Sequence, residues 1–224
     1  MRQRVMAEQA DYGIALDGDG DRLIMIDSQG RTYDGDLLVY VIARVRHQNK
    51  RLNGGVIGTL MTNLGVEHAL AQDGIAFDRA KVGDRYVLEK LAERGWQVGG
   101  EGSGHILCLD QHTTGDGIVS ALQVLAAVQT SGQSLAELTA HVQCYPQKLI
   151  NVRVSKGFSF KDNLPIQAAV VEAEVALAGS GRVLLRASGT EPVLRVMTEG
   201  RDEAEITRWA EAIAEVVRRE AGHA

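Results

Sequence analysis

Gly54-Gly55-Val56-Ile57-Gly58-Thr59-Leu60-Met61-Thr62-Asn63-Leu64-Gly65-Val66-Glu67-His68-Ala69-Leu70-Ala71 reads as a strand followed by a helix. The short apolar run 56–61, bounded by glycines, has the pattern of a buried strand, and the apolar positions of 66–71 suggest a helix. The same alternation continues on both sides. Upstream, Leu37, Leu38, Val41, Ile42 and Val45 recur at helical spacing behind Asp36, which the pattern nominates as N-cap. Downstream come a strand at 75–77, a helix at 86–92 stopped by Gly95, a strand at 106–109 and a strongly apolar helix at 118–128. This order predicts an α/β domain with a mixed, mostly parallel sheet covered by helices.

The pattern changes toward both ends. The segment 141–146 reads as a boundary. Beyond it lie a strand (149–154), a helix (165–177, with Pro165 in its first turn), two strands (183–186 and 193–197) and a last helix. That helix opens with Asp202-Glu203-Ala204-Glu205 and places Ile206, Trp209, Ile213, Val216 and Val217 on one face. The result is a small α+β C-terminal domain. Toward the start, residues 1–9 resemble the tail of a helix leading into strands 12–16 and 23–27. They read as an N-terminal stub of a truncated α/β domain. The expected division is 1–31, 32–145 and 146–224.

Composition narrows the function classes. Twenty-four basic against 29 acidic residues give a net charge of −5, which argues against a nucleic-acid partner but not against a small anion held by a few local cations. Cys108 and Cys144 are isolated, as expected in a reducing compartment. No apolar stretch approaches the ~20 residues that span a bilayer, and the first residues lack a signal-peptide core. The expectation is a cytoplasmic protein without a membrane partner.

Three loops carry chemistry. Asp17-Gly18-Asp19-Gly20-Asp21-Arg22 lies between two strands, and its alternating carboxylates suit one hard divalent cation. An EF-hand fails, because Arg22 stands at the sixth position and Ser28 at the twelfth. An acidic β-turn is the bland alternative, but three crowded aspartates repel one another without a cation. Gly99-Gly100-Glu101-Gly102-Ser103-Gly104-His105 lets a ligand approach the backbone and offers Glu101, Ser103 and His105 to hydroxyls; a plain glycine-rich turn is the alternative. Arg186-Ala187-Ser188-Gly189-Thr190-Glu191-Pro192, with Arg195 beyond, supplies the guanidinium, hydroxyl and amide groups that hold a phosphate, unless it is an ordinary hairpin. It is not a Walker loop. A fourth cluster, Lys81-Val82-Gly83-Asp84-Arg85-Tyr86, puts Lys81 and Arg85 at a helix start, either as an anion site or as a charged surface turn.

In this order the loops resemble those of the α-D-phosphohexomutase superfamily, and the resemblance covers nearly the whole chain. Within the superfamily, stretches 58–65, 82–87 and His112-Thr113-Thr114-Gly115-Asp116-Gly117-Ile118 look most like the bacterial phosphoglucosamine mutases, with this chain corresponding to the end of domain 2 plus domains 3 and 4. The resemblance implies a cleft formed by four domains. It implies interconversion of glucosamine 6-phosphate and glucosamine 1-phosphate, through a phosphoserine and a bisphosphorylated sugar, on the route to UDP-N-acetylglucosamine and cell-wall precursors. It implies Mg²⁺ on Asp17, Asp19 and Asp21, and Arg22 on the transferring phosphoryl group. Glu101 and Ser103 would bind sugar hydroxyls, and Arg186, Ser188, Gly189, Thr190 and Arg195 the other phosphate. Lys81, Arg85 and His105 would line the cleft, with Arg22, Lys81 and His105 as the catalytic set. Glucosamine 1,6-bisphosphate or glucose 1,6-bisphosphate is implied as activator, and a homodimer is left open. The family's Ser-His-Asn-Pro-type loop does not occur in these residues, so they are expected to be inactive alone. Rival readings are a phosphomannomutase or phosphoglucomutase, and a non-catalytic metal- and phosphosugar-binding module. A phosphatase has less support, because no nucleophile adjoins the acidic loop.

Overall fold

A helix of fourteen residues in the first unit begins behind one capping aspartate and buries another in its first turn. The computed structural model describes residues 1–155, 157–188 and 191–222. Its first unit runs from Met1 to Cys144. A helix α1 (Arg2–Ala7) precedes strands β1 (Tyr12–Leu16), β2 (Leu23–Asp27) and β3 (Thr32–Tyr33), and these three strands form an antiparallel meander. Helix α2 (Gly35–Gln48) follows, capped by Asp34, whose carboxylate accepts Leu37 N–H at 3.1 Å. Residues 1–31 thus belong to the same compact unit as the helices that follow them.

The remaining elements of this unit are β4 (Val56–Thr59), α3 (Leu64–Gln72), β5 (Phe77–Ala80), α4 (Asp84–Arg94), β6 (Val98–Gly100), β7 (Ile106–Cys108), α5 (Gly117–Ser131) and α6 (Leu135–Leu138). The sheet order is β5-β4-β6-β7, with β4 parallel to β5 and β6, and β7 antiparallel at the edge. The mixed, mostly parallel sheet expected from the sequence is the one found. Helices α2, α3 and α5 share one core with Val56, Val98 and Ile106. On the opposite face, Val87 and Leu91 of α4 pack with Ile57, Ala80 and Leu107. This sandwich holds the strand ends, and the loops that leave them, in fixed positions.

The second unit, Tyr145 to Ala224, contains β8 (Gln147–Arg153), α7 (Leu164–Ala176), β9 (Gly181–Ala187), β10 (Val193–Gly200) and α8 (Glu203–Gly222). Its antiparallel sheet has the order β8-β10-β9. Val152, Leu194 and Val196 pack with Ile166 and Ala173 of α7 and with Ile213, Ala214 and Val217 of α8. Asn163 caps α7 ahead of Pro165, and Asp202 accepts Ala204 and Glu205 N–H at the start of α8. Among the described residues, no helix is long and apolar enough to cross a membrane.

Three local expectations are corrected. The N-cap of α2 is Asp34 rather than Asp36. The strand expected at 75–77 lies at Phe77–Ala80, in register with Val56–Thr59. Gly99 and Gly100, read as loop, belong to β6.

Asp36 is buried, and its Oδ2 accepts Asn63 N–H at 2.8 Å. Next to it, a methyl group on Gly35 would sit 2.0 Å from Glu101 O, and Gly35 N–H donates to Gly102 O at 3.2 Å. The start of α2 therefore anchors two loops at once. Burial pushes the Asp36 carboxyl up to about 7, although the hydrogen bonds from Asn63 and Thr62 act the other way. The folded chain thus holds this proton more tightly than an unfolded chain whose carboxyl titrates near 3.8, so stability falls as pH rises between those values and the loss is complete above about 7. At ~1.4 kcal/mol per unit the effect is of the order of 4 kcal/mol. Asp36→Asn keeps an acceptor for Asn63 and has no proton to lose. Urea unfolding at about pH 5 and about pH 8 is expected to show a smaller stability difference in Asp36→Asn than in the wild type. Equal differences would mean that Asp36 stays ionised throughout.

Candidate functional site

The acidic loop, residues 17–22, joins β1 to β2. Where it ends, Arg22 makes an isolated antiparallel bridge with His105, and Leu23 N–H donates to Gly104 O at 3.0 Å. These contacts seat the acidic loop against the turn between β6 and β7. That turn is closed by Glu101 N–H on His105 O and Gly104 N–H on Glu101 O, both at 2.9 Å. Glu101 Oε1 also accepts Gly83 N–H at 2.9 Å, which ties the turn to the start of α4. A cleft of about 340 Å³ results, lined by Asp21, Arg22, Val82, Gly83, Asp84, Glu101, Ser103 and His105.

One carboxylate oxygen from each of Asp17, Asp19 and Asp21 lies within 4.8 Å of the others, so small rotations bring all three onto one ion. Asp21 Oδ1 is a buried acceptor without a hydrogen bond, 3.9 Å from Arg22 Nε. A buried orphan oxygen within a group of three carboxylates is what a hard divalent cation satisfies, so the donor set fits Mg²⁺. Arg22 also reaches Asp17, with its backbone N–H 3.2 Å from Oδ1 and Nε 3.6 Å from Oδ2. Desolvation pulls the Asp17 carboxyl upward, but the Arg22 amide, the Asp21 contact and the Arg22 charge outweigh it and hold Asp17 below its ordinary range. Asp17 is therefore held in its ionised, coordinating form.

The structure distributes the other candidates unevenly. Glu101, Ser103 and His105 share the cleft with Asp21 and Arg22. His105 is buried and its Nδ1 is 2.9 Å from Asp21 Oδ2, so the acceptor-only carboxylate assigns the ring proton to Nδ1. Lys81 and Arg85 do not line the cleft. The Lys81 ammonium stands 5.6 Å from the centre of the Tyr86 ring, and Arg85 Nε is 2.8 Å from Glu89 one helical turn away, with the Arg85 side chain 80% exposed. Their places at the cleft wall are taken by the intervening Val82, Gly83 and Asp84. The sequence signal for this is Gly83, which as N-cap of α4 has a φ of 126° and presents its amide to Glu101.

In the second unit, Arg186 and Arg195 are directly opposite in the β9–β10 pairing, which puts two guanidinium side chains on the same face of the sheet. Ser188 N–H closes the hairpin on Val193 O at 2.8 Å, and Glu191 N–H is 3.3 Å from Ser188 Oγ. Gly189 and Thr190, also nominated for phosphate, lie outside the described residues. The arrangement concentrates positive charge and a hydroxyl beside one turn.

Comparison with known proteins follows the same division. A family model of phosphoglucomutase/phosphomannomutase, alpha/beta/alpha domain III, matches residues 34–145, and one of the phosphoglucomutase/phosphomannomutase C-terminal domain matches residues 149–216. A phosphoglucosamine mutase of Methylobacillus flagellatus is 60% identical over 221 residues, covering 99% of this chain and 49% of the relative. One from Thiobacillus denitrificans is 62% identical over 214 residues, covering 96% of this chain and 47% of the relative. The chain thus spans about half the length of the curated relatives it matches. Among solved structures, an Aspergillus fumigatus N-acetylphosphoglucosamine mutase in complex with GlcNAc-6P and magnesium has a similar fold, with a TM-score of 0.78 at 21% identity over 97% of this chain and 56% of the other. A phosphoglucomutase/phosphomannomutase family protein from Burkholderia thailandensis gives 0.76 at 20% identity over 97% and 48%. Two domain models in sequence, with relatives at about 60% identity along the whole chain, establish that it belongs to the phosphoglucomutase/phosphomannomutase family of α-D-phosphohexomutases.

Proposed function

We propose that these residues form the metal-, sugar- and phosphate-binding part of a phosphoglucosamine mutase, which interconverts glucosamine 6-phosphate and glucosamine 1-phosphate by phosphoryl transfer. The observation that carries this reading is the single cleft in which Asp21 and Arg22 meet Glu101 and Ser103. It sets a cation-binding loop beside groups suited to sugar hydroxyls, the combination that phosphoryl transfer to a sugar oxygen requires. The preference for an amino sugar is supported by the relatives at 58–62% identity, which are named as phosphoglucosamine mutases.

Asp17, Asp19 and Asp21 would hold Mg²⁺, which when bound neutralises charge on the transferring phosphoryl group. Arg22 stands beside those carboxylates and would contact the same group. Glu101 and Ser103 would orient the sugar; Glu101 already has one oxygen fixed by Gly83 N–H, so its position is set before ligand arrives. Arg186, Arg195, Ser188, Gly189 and Thr190 would hold the phosphate that is not reacting. Any proton handling by His105 would fall to Nε2, because its Nδ1–H is held by Asp21. No role is assigned to Lys81 and Arg85, whose cations lie against Tyr86 and Glu89.

The phosphoserine of the resemblance has no counterpart here, since no Ser-His-Asn-Pro-type loop occurs in the 224 residues. These residues alone are therefore expected to give no turnover of glucosamine 6-phosphate, and steady mutase activity from them would overturn that assignment. Joined to the N-terminal half of the Methylobacillus flagellatus relative, they should interconvert glucosamine phosphates with a higher kcat/KM than mannose or glucose phosphates. Faster turnover of a mannose or glucose phosphate would assign the chain to a sibling mutase instead. In the same hybrid, Arg186→Ala removes charge-assisted hydrogen bonds worth ~1.5–3 kcal/mol each, so kcat/KM should fall roughly 10- to 100-fold. An unchanged kcat/KM would exclude Arg186 from phosphate binding.

A further inference from the structure

The stretch His112-Thr113-Thr114-Gly115-Asp116-Gly117-Ile118 has no part in the site as described, yet it touches that site twice. Gly117 N–H, at the first position of α5, donates to Gly20 O in the acidic loop at 2.8 Å. A methyl group on Gly117 would stand 2.9 Å from Gly20 O and 3.0 Å from Arg22 O, so only glycine lets the helix start this close. Asp116 fixes that start by accepting Ile118 and Val119 N–H at 2.8 and 2.9 Å. At Gly115, a methyl group would come within 2.2 Å of His105 Nε2, so this glycine makes the space in which the imidazole lies. The other edge of that ring donates Nδ1–H to Asp21 Oδ2.

From these contacts we infer that His105, seated by Gly115, is the positioning residue of the metal loop: it holds Asp21 by Oδ2 so that Oδ1 faces the cation shared with Asp17 and Asp19. The inference rests on the assignment of these aspartates as metal ligands. Three restraints converge on six residues. The Arg22–His105 bridge fixes the end of the loop, the Gly117 amide fixes its middle, and the His105 ring fixes the carboxylate itself. A loop of alternating aspartates and glycines has little stiffness of its own, so affinity for a cation depends on such outside restraints.

The test is binding of Mn²⁺ to this chain, read by electron paramagnetic resonance of the free ion and by calorimetry. Asn and Gln discriminate the geometry, because an asparagine amide overlays the Nδ1 edge of histidine and a glutamine amide the Nε2 edge. Wild type and His105→Asn are expected to bind with similar affinity, whereas His105→Ala, His105→Gln and Gly115→Ala should bind roughly 10- to 100-fold more weakly. Amide spectra of each variant establish that it is folded. If folded His105→Ala binds like the wild type, or His105→Asn is no better than His105→Gln, the positioning role is wrong while the metal site stands. If the wild type binds no Mn²⁺, or Asp19→Asn binds as tightly as the wild type, the metal assignment itself fails, and the inference with it.

Discussion

The backbone seam between residues 22–23 and 104–105 is the contact on which the site depends. The antiparallel meander β1–β3 and the mixed sheet β5-β4-β6-β7 are separate sheets. The Arg22–His105 bridge and the Leu23–Gly104 hydrogen bond join them at one point. That point lies where both acidic loop and glycine-rich turn leave their strands. The shared core with Leu23, Met25 and Tyr33 holds the two sheets together, and this seam fixes the acidic loop against the glycine-rich turn. A loop is most precise when its ends are strands, and here each of the two loops borrows the stiffness of the other's sheet.

A second constraint operates one layer deeper. Asp36 places a carboxyl in the core at the first turn of α2, where burial alone disfavours its charge. It is tolerated because it bonds Asn63 N–H at the start of α3 and because Gly102 packs against it. The same helix start receives Gly102 O on Gly35 N–H. A leucine at position 36 would suit the apolar surroundings but would leave the Asn63 amide without its acceptor. The buried carboxyl therefore trades local stability for the placement of the turn that carries Glu101 and Ser103.

What the sequence made legible was whatever is local. The strands around the acidic loop, the αL stop at Gly95 and the Asp202 cap each depend on residues within a few positions, and each lies where the pattern put it. Asp34 and Asp36 are equally good caps by chemistry, and only the tertiary bond to Asn63 decides that Asp36 faces inward. Strand β5 was misplaced because Phe77-Asp78-Arg79-Ala80 does not look apolar. Arg79 is accommodated by donating to Thr59 O and Thr62 O at 2.8 and 2.9 Å, with Glu67 alongside, and none of these partners is adjacent in sequence. In the candidate site, the acidic loop, the glycine-rich turn and the arginine-bearing hairpin could be located from residue types. That Val82, Gly83 and Asp84 rather than Lys81 and Arg85 line the cleft, and that Gly115 and Gly117 pack against His105 and the acidic loop, follows from contacts that no spacing announces.

If an acidic chain is to bind phosphosugars, as proposed, it must solve its electrostatics by placement rather than by total charge. With a net charge of −5, the protein offers an incoming phosphate no long-range attraction, and salt at physiological strength screens exposed charges beyond ~8 Å in any case. Attraction has to come from cations held at fixed points. The cross-strand register of Arg186 opposite Arg195 is one such point, because it sets two guanidinium side chains on the same face of the sheet. The acidic loop works in the opposite sense. Its three carboxylates repel a phosphate until a divalent ion is bound, and Arg22 alone does not reverse their sign. On the proposed function, phosphate binding at the first point would depend on the backbone register of two strands, whereas at the second it would depend on prior occupation by metal. The two charge centres are thus distinguished by what each would need in place before a phosphosugar could bind.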